Sequence, residues 1–205
     1  MATQKHRGLS IQATRAAERH LSQSCKVMAR LIIEHGPCSI SKRTLTPFQT
    51  LASSIISQQL SAKASRTIKG RVFEIIPSFS PDGFLTVNDA ELRRAGMSLA
   101  KARYIRELSH SINNGLINFD ALIRQPDHEV MNALIELPGI GRWTAEMFLI
   151  FGLKRPDVLS IGDAGLQRSV RLLYGKKASL EIIGQRWRPY CSVASWYLWQ
   201  HLDSQ

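Results

Sequence analysis

The stretch from Leu134 to Ala145, L-I-E-L-P-G-I-G-R-W-T-A, has the pattern of two helices joined by a tight turn. Pro138 fixes one φ angle, and Gly139 and Gly141 allow backbone conformations that are closed to other residues. The N–H groups that follow such a turn are the unpaired donors of a helix N-terminus and form a seat for a phosphate group. Any antiparallel helix pair also needs a turn, so the pattern alone leaves a purely structural role open.

The composition of the chain favours phosphate binding. Among 205 residues there are 27 Lys and Arg against 16 Asp and Glu, a formal net charge of +11 that indicates a polyanionic partner. The hydrophobic fraction of 44% and the charged fraction of 21% are those of a globular protein and exclude a disordered chain. No apolar run reaches the roughly 18 to 20 residues that span a bilayer, so no membrane partner is expected.

The cysteine pattern and the N-terminus indicate an intracellular protein. The three cysteines, Cys25, Cys38 and Cys191, lie far apart and include no C-x-x-C pair, which excludes a cysteine metal clip and a four-cysteine iron–sulfur cluster. No apolar stretch follows the basic N-terminus, so secretion is not expected. We expect the protein in the cytoplasm and nucleoid of a bacterium, or in the nucleus of a eukaryote.

The hydrophobic periodicity predicts an all-α protein of about eight to ten helices. Almost every segment has a helical period, and no strand alternation is bounded by hairpin turns. Helix caps and breakers then give approximate boundaries. The pattern predicts helices over 14–34 and 142–153, helices that begin after Ser61 and Ser98, and one over 164–174 that Asp163 caps and Gly175 ends.

The stretch 134–145 resembles the helix-hairpin-helix element of the base-excision DNA glycosylase superfamily. Four more segments, 47–64, 96–105, 156–166 and 187–199, resemble its 3-methyladenine DNA glycosylase II branch, and together the segments cover about residues 24–202 in the family's order. The resemblance implies two helical sub-domains with an active-site cleft between them. One would be 47–156, which contains the hairpin at 137–141, and the other would be 1–46 with 157–205.

Asp163 matches the catalytic aspartate of that family. Cleavage of an N-glycosidic bond builds positive charge on the sugar, and a carboxylate can stabilise this charge and position the attacking water. A helix N-terminus stabilises negative charge, so electrostatic stabilisation suits Asp163 better than strong general-base work. Most aspartates that start a helix are plain caps, so only the resemblance implies the catalytic role.

Trp143 stands where the relatives that also cut the DNA strand have a lysine nucleophile. Tryptophan cannot form the Schiff base, so the resemblance implies a monofunctional enzyme without lyase activity. An indole can instead stack on an extruded, positively charged alkylpurine. Trp199 matches a second pocket aromatic, and Met147 stands where a pocket tyrosine can occur. Core packing is the alternative role for the tryptophans, and we expect it for Trp187 and Trp196.

The resemblance also implies residues that contact double-stranded DNA, bound by a monomer. Gln58 and Gln59 lie where the family inserts a residue into the duplex, although a polar helix end is an equally good interpretation of either one. No cofactor or metal is required, and a monovalent cation at the hairpin carbonyls is left open. The candidate phosphate-binding residues are Gly139, Ile140, Gly141, Thr144, Ser61 and Lys63.

The implied function is release of alkylated purines, 3-methyladenine and 7-methylguanine, from duplex DNA in base excision repair. Ser160, Gly162, Met147 and Cys191 depart from the family pattern and leave the substrate range open. Two alternatives also stay open. One is a non-catalytic helix-hairpin-helix damage sensor, and the other is a glycosylase for deaminated purines such as hypoxanthine.

Overall fold

The structure is a computed structural model that describes residues 8–205, and within this range it is helical with no strand. The predicted all-α fold class is confirmed. None of the helices in this range is both long and apolar enough to cross a membrane. The α-helices are α1 (Ile11–Ser24), α2 (Lys26–His35), α3 (Pro47–Ser57), α4 (Ala62–Ile75), α5 (Pro81–Thr86), α6 (Asp89–Arg94), α7 (Leu99–Asn113), α8 (Phe119–Leu122), α9 (Asp127–Ile135), α10 (Arg142–Met147), α11 (Ala164–Tyr174), α12 (Leu180–Gly184) and α13 (Cys191–Asp203).

The chain divides into two compact units. One takes in the residues up to Thr44 together with Leu149–Gln205, and the other is Leu45–Phe148. The sequence predicted the two boundaries at 46/47 and 156/157. Residues 1–7 of the predicted sub-domain 1–46 with 157–205 lie outside the described range. The second boundary differs because α10 runs directly into a π-helical turn at Phe148–Gly152, where no proline marks the change.

Short polar side chains explain where the helices begin. The Thr46 hydroxyl accepts the backbone N–H of Gln49, while the Gln49 side chain accepts the backbone N–H of Thr46, which is a capping box beside Pro47. Ser61 and Ser98 cap α4 and α7 in the same manner, by accepting a backbone N–H three residues later. These local hydrogen bonds place the helix starts that the sequence predicted.

The single helix predicted over 14–34 is wrong, because the chain breaks at Cys25. This residue is extended, with φ −151° and ψ 114°, and α1 ends before it while α2 starts after it. Its Sγ lies 3.0 Å from the hydroxyl of Tyr174, which is 149 residues away in sequence. The break therefore accompanies a tertiary contact, and no proline or glycine marks it locally.

The unit Leu45–Phe148 has an aromatic core. The ring of Phe79 stacks on Phe73 with centroids 4.1 Å apart and meets Phe84 edge-on at 5.1 Å. Phe84 in turn meets Phe48 of α3 at 5.9 Å, edge to face. Helix α3 also packs against α4, α7 and α10, so it lies beside the helix that follows the turn between α9 and α10.

A buried polar cluster joins α1, α2 and α13 in the other unit. The Tyr197 hydroxyl lies 3.0 Å from Glu18 Oε1 and 2.9 Å from the Gly36 carbonyl oxygen. The same Glu18 oxygen accepts the backbone N–H of Cys38 at 2.7 Å. Burial raises the pKa of Tyr197, and it raises the pKa of the Cys38 thiol to about 12. Both groups therefore stay neutral at physiological pH and fix the end of α2 against α13.

Candidate functional site

The turn between α9 and α10 depends on a glycine at position 139. Gly139 has a φ of +78°, and a Cβ placed on it would lie 2.2 Å from ring atoms of Tyr104. Both the left-handed backbone and the missing side chain are therefore needed. The backbone N–H of Ile140 donates to the Leu137 carbonyl at 3.1 Å and closes the turn. This N–H is thus used inside the hairpin, although Ile140 was a candidate phosphate contact.

Gln58 braces the hairpin. Its Nε2 donates to the Gly139 carbonyl at 2.8 Å and to Thr144 Oγ1 at 3.0 Å. Lys101 Nζ holds the backbone at the end of α3, because it donates to the carbonyl oxygens of Ile56 at 2.8 Å and Gln58 at 2.7 Å. Burial lowers the pKa of Lys101. Neither Lys101 nor Tyr104 could be connected with the hairpin from the sequence, since both contacts are tertiary.

The candidate phosphate-binding residues differ in exposure. Thr144 is only 1% exposed and its hydroxyl accepts from Gln58, so it stabilises the hairpin. Gly141 is exposed at the start of α10, and a Cβ on it would meet no atom within 4 Å. Ser61 and Lys63 are exposed in the first turn of α4. Packing explains the glycine at 139 but not the glycine at 141, where the space is open to an approaching group.

The two glutamines proposed to enter the duplex have different surroundings. The Gln58 side chain is half-buried in the brace. Gln59 is exposed and has a φ of +57°, an uncommon conformation for a residue other than glycine. Of the two glutamines, Gln59 is therefore the one with an exposed side chain. The Gly139 oxygen has a second lone pair beside its bond to Gln58, so a monovalent cation at the hairpin stays a prediction.

Asp163 caps α11 and contacts Trp199. Its Oδ1 accepts the Leu166 backbone N–H at 2.7 Å and the Trp199 indole N–H at 3.2 Å. The backbone N–H of Asp163 donates to Ser160, and the residue is 7% exposed. A Cβ on Gly165 would lie 3.0 Å from the same Oδ1, so the glycine leaves room for the carboxylate. The same oxygen atom, Asp163 Oδ1, therefore caps α11 and accepts the Trp199 indole N–H.

Trp199 belongs to a short row of aromatic and cationic groups that the sequence did not reveal. Its ring lies beside Phe151, with centroids 5.5 Å apart, and the Arg43 guanidinium carbon lies 4.2 Å above the Phe151 ring. No motif or period singles out Arg43 or Phe151, because each becomes informative only when folding brings it next to Trp199.

The segment before Asp163 is anchored to the start of α13. Asp157 accepts from Arg188 Nη1 at 2.6 Å and from the backbone N–H of Cys191 at 3.3 Å. The Val158 N–H donates to Ser192 Oγ at 3.0 Å. Two of the motifs noted in the sequence, 156–166 and 187–199, therefore form one structural unit. Cys191 is buried, and burial raises the pKa of its thiol.

The remaining candidates are placed as follows. Trp143 is half-buried in the first turn of α10, and Met147 at the end of this helix is only 4% exposed. Trp187 and Trp196 are buried, as expected for core residues. The structure thus brings Asp163 together with Trp199, and Gln58 together with Gly139 and Thr144. Nothing lies within 4 Å of a Cβ on Gly162, so that departure from the family pattern has no packing cause.

Comparisons with known proteins give one consistent result. A protein-family model described as "HhH-GPD superfamily base excision DNA repair protein" matches residues 52–187. The chain is 35% identical over 144 residues to the DNA-3-methyladenine glycosylase of Saccharomyces cerevisiae, covering 65% of this chain and 49% of that protein. The chain spans 45% of the length of the putative DNA-3-methyladenine glycosylase YfjP of Bacillus subtilis, and 92% of the length of the alkylbase DNA glycosidase-like protein mag2 of Schizosaccharomyces pombe. The resemblance seen in the motifs is confirmed.

Solved structures agree with the sequence comparison. A DNA-3-methyladenine glycosidase from Bacillus halodurans has a TM-score of 0.68 and 36% identity, covering 94% of this chain and 90% of that one. The Schizosaccharomyces pombe 3-methyladenine DNA glycosylase Mag1, solved in complex with abasic DNA, has a TM-score of 0.78 and 28% identity. That match covers 90% of this chain and 95% of the other.

The two hairpin glycines should respond differently to a methyl group. Gly139→Ala forces a left-handed alanine against Tyr104, and we expect the free energy of unfolding to fall by about 2 kcal/mol or more. Gly141→Ala adds a methyl group in open space at a φ of −88°, and it should unfold within about 0.5 kcal/mol of the wild type. Urea unfolding of both variants measures this. Equal destabilisation would contradict the assigned packing.

Proposed function

Because the chain belongs to the HhH-GPD superfamily of base excision DNA repair proteins, we propose that it is a monofunctional DNA glycosylase of the 3-methyladenine DNA glycosylase II type. It hydrolyses the N-glycosidic bond of alkylated purines in duplex DNA, with 3-methyladenine and 7-methylguanine as substrates. The observation that carries the proposal is the Asp163 carboxylate, fixed by the Leu166 N–H and the Trp199 indole N–H in the segment that matches the family's catalytic motif.

The proposed reaction requires a positioned carboxylate and little else from the protein. As the C1′–N bond breaks, the sugar gains positive charge, and the Asp163 carboxylate stabilises it electrostatically. A water molecule then forms the C1′–O bond and releases its proton to the surrounding solvent. A purine alkylated at N3 or N7 carries a positive charge before cleavage, so it leaves as a neutral base without an acid catalyst. The reaction uses no cofactor.

The aromatic side chains fit a cationic base. An indole attracts positive charge to its ring face, so Trp143 and Trp199 favour an alkylated purine over a neutral one. Trp199 also holds Asp163 through its N–H, which makes it a positioning residue as well as a stacking surface. Met147 is buried, and its proposed contribution is to shape the pocket from below the surface.

DNA binding divides into a general and a local part. The net charge of +11 provides salt-dependent affinity for the duplex. We propose that the exposed Gly141 and the first turn of α4, with Ser61 and Lys63, contact phosphates, and that Gln59 enters the duplex beside the vacated site. Such contacts position the protein without reading sequence. The protein would act as a monomer in the compartment that holds the DNA.

The substitution Asp163→Asn removes the negative charge of the carboxylate but keeps the helix cap. Asparagine caps a helix as well as aspartate does, so Asp163→Asn should keep α11 and the duplex affinity within a few-fold. Loss of the negative charge should lower base release by about 100-fold or more. The measurement is chromatography of the bases released from methylated DNA.

Asp120→Asn makes the same change at an exposed first-turn aspartate and should leave release unchanged. Full activity of Asp163→Asn would contradict the mechanism, whereas no base release by the wild type would indicate a non-catalytic damage sensor. Wild-type rates for 3-methyladenine, 7-methylguanine and hypoxanthine, measured in the same assay, decide the lesion class. Hypoxanthine released fastest would instead indicate a glycosylase for deaminated purines.

The substitution Trp199→Phe tests the hydrogen bond from the Trp199 indole N–H to Asp163. Trp199→Phe keeps an aromatic ring next to Phe151 but removes the donor to Asp163. A hydrogen bond to a charged group contributes roughly 1.5–3 kcal/mol, so kcat should fall by about tenfold to a hundredfold while KM changes little. Trp196→Phe, three residues earlier on α13, should keep kcat. An equal loss of kcat in both variants would show a general effect on the helix.

The tryptophan at position 143 predicts the absence of strand cleavage. Without a lysine at this position the protein has no Schiff-base nucleophile after the hairpin, so borohydride should trap no covalent enzyme–DNA adduct. The assay incubates wild-type protein with DNA that carries a substrate base and then resolves adducts by denaturing electrophoresis. A trapped adduct would contradict the monofunctional assignment.

A further inference from the structure

We propose that Glu34, His35 and His201 form a binding site for a divalent transition metal, with Zn²⁺ as the preferred ion. Glu34 and His35 end α2, and His201 lies near the end of α13, in the same compact unit. Each residue offers one ligand atom, and these atoms all lie within 4.8 Å of one another. The site is independent of the glycosylase chemistry proposed above.

Unpaired ring nitrogens support a ligand at this place. His35 Nε2 and His201 Nδ1 are both buried and make no hydrogen bond within the described part of the chain. Buried polar atoms normally have a partner, because removal from water without one is costly. Glu34 Oε1 lies 3.9 Å from His35 Nε2, which is too long for a hydrogen bond. A metal ion would supply the missing partner.

The ligand set fits zinc. Two imidazole nitrogens and one carboxylate oxygen bind Zn²⁺ at about 2.0–2.2 Å, and water completes a tetrahedron. Such ligands lie about 3.3 Å apart, so the side chains must close in from the present separation. The Glu34 side chain is 49% exposed and can rotate, whereas the His35 side chain is 12% exposed and already held. Glu34 would therefore make most of the movement.

The backbone around the site is fixed before any metal binds. Tyr197 lies one turn before His201 on α13, and its hydroxyl contacts the Gly36 carbonyl directly after α2. The metal would add a second link between these helices. His201 and Trp199 are two residues apart on α13 and so face different sides of it. The proposed ion thus stabilises this unit and is not part of the Asp163 site.

Metal binding by the whole chain is the first test. Protein stripped with a chelator is titrated with Zn²⁺ by calorimetry, and we expect one equivalent to bind. At a Zn²⁺ concentration one hundred times Kd, the melting temperature should rise by roughly 5–10 °C. Co²⁺ in place of Zn²⁺ should give the visible absorption of a tetrahedral site. No saturable binding, or no rise in melting temperature, would overturn the proposal.

Ligand substitutions test the assignment. His35→Gln, His201→Gln and Glu34→Gln should each weaken Zn²⁺ binding by at least about tenfold. Glu34 is exposed enough that its substitution should not affect folding, which keeps the test informative if a histidine variant is unstable. His128→Gln is the matched control, because His128 also neighbours a glutamate, with 4.0 Å between Nε2 and Glu129 Oε1, but belongs to no such cluster in residues 8–205.

The control should bind Zn²⁺ like the wild type. Binding that survives all three ligand substitutions would assign the metal elsewhere, and binding that falls equally in His128→Gln would show a non-specific effect. Either result would contradict the site.

Discussion

The turn between α9 and α10 depends on one steric fact, which is that the ring of Tyr104 occupies the space where a side chain at position 139 would begin. Only glycine fits there, and only glycine adopts the positive φ easily. The Gly139 carbonyl then points to Gln58 Nε2, and the same amide reaches Thr144 at the start of α10. The orientation of α10, and with it the exposed edge at Gly141, follows from this contact.

Asp163 combines a structural role and a proposed chemical role in one atom. Its Oδ1 starts α11 by accepting the Leu166 N–H, and it also accepts the Trp199 indole. A flexible carboxylate would lose rotational entropy and reorganise during the reaction, whereas this one is held before substrate arrives. Gly165 contributes by leaving out a side chain that would crowd the oxygen at 3.0 Å. The requirements of the fold and of the proposed chemistry therefore coincide.

Features set by neighbouring residues were predictable from the sequence, and features set by distant residues were not. Ser61, Ser98 and Asp163 accept an N–H three residues later, so caps identified the starts of their helices. The break at Cys25 accompanies a contact with Tyr174, and the brace by Gln58 depends on Gly139, 81 residues away. Motif resemblance found Asp163 and Trp199, but it carried no information about Arg43 or Phe151.

The hydrogen bonds of the hairpin and those of Asp163 lie in different units of the chain. Gln58, Gly139 and Thr144 bond to one another within Leu45–Phe148, whereas the bonds of Asp163 to Leu166 and Trp199 lie in the other unit. Substitutions without shared partners usually have additive effects on stability. We therefore expect substitutions in the hairpin bonds and substitutions in the Asp163 bonds to have additive effects on the free energy of unfolding.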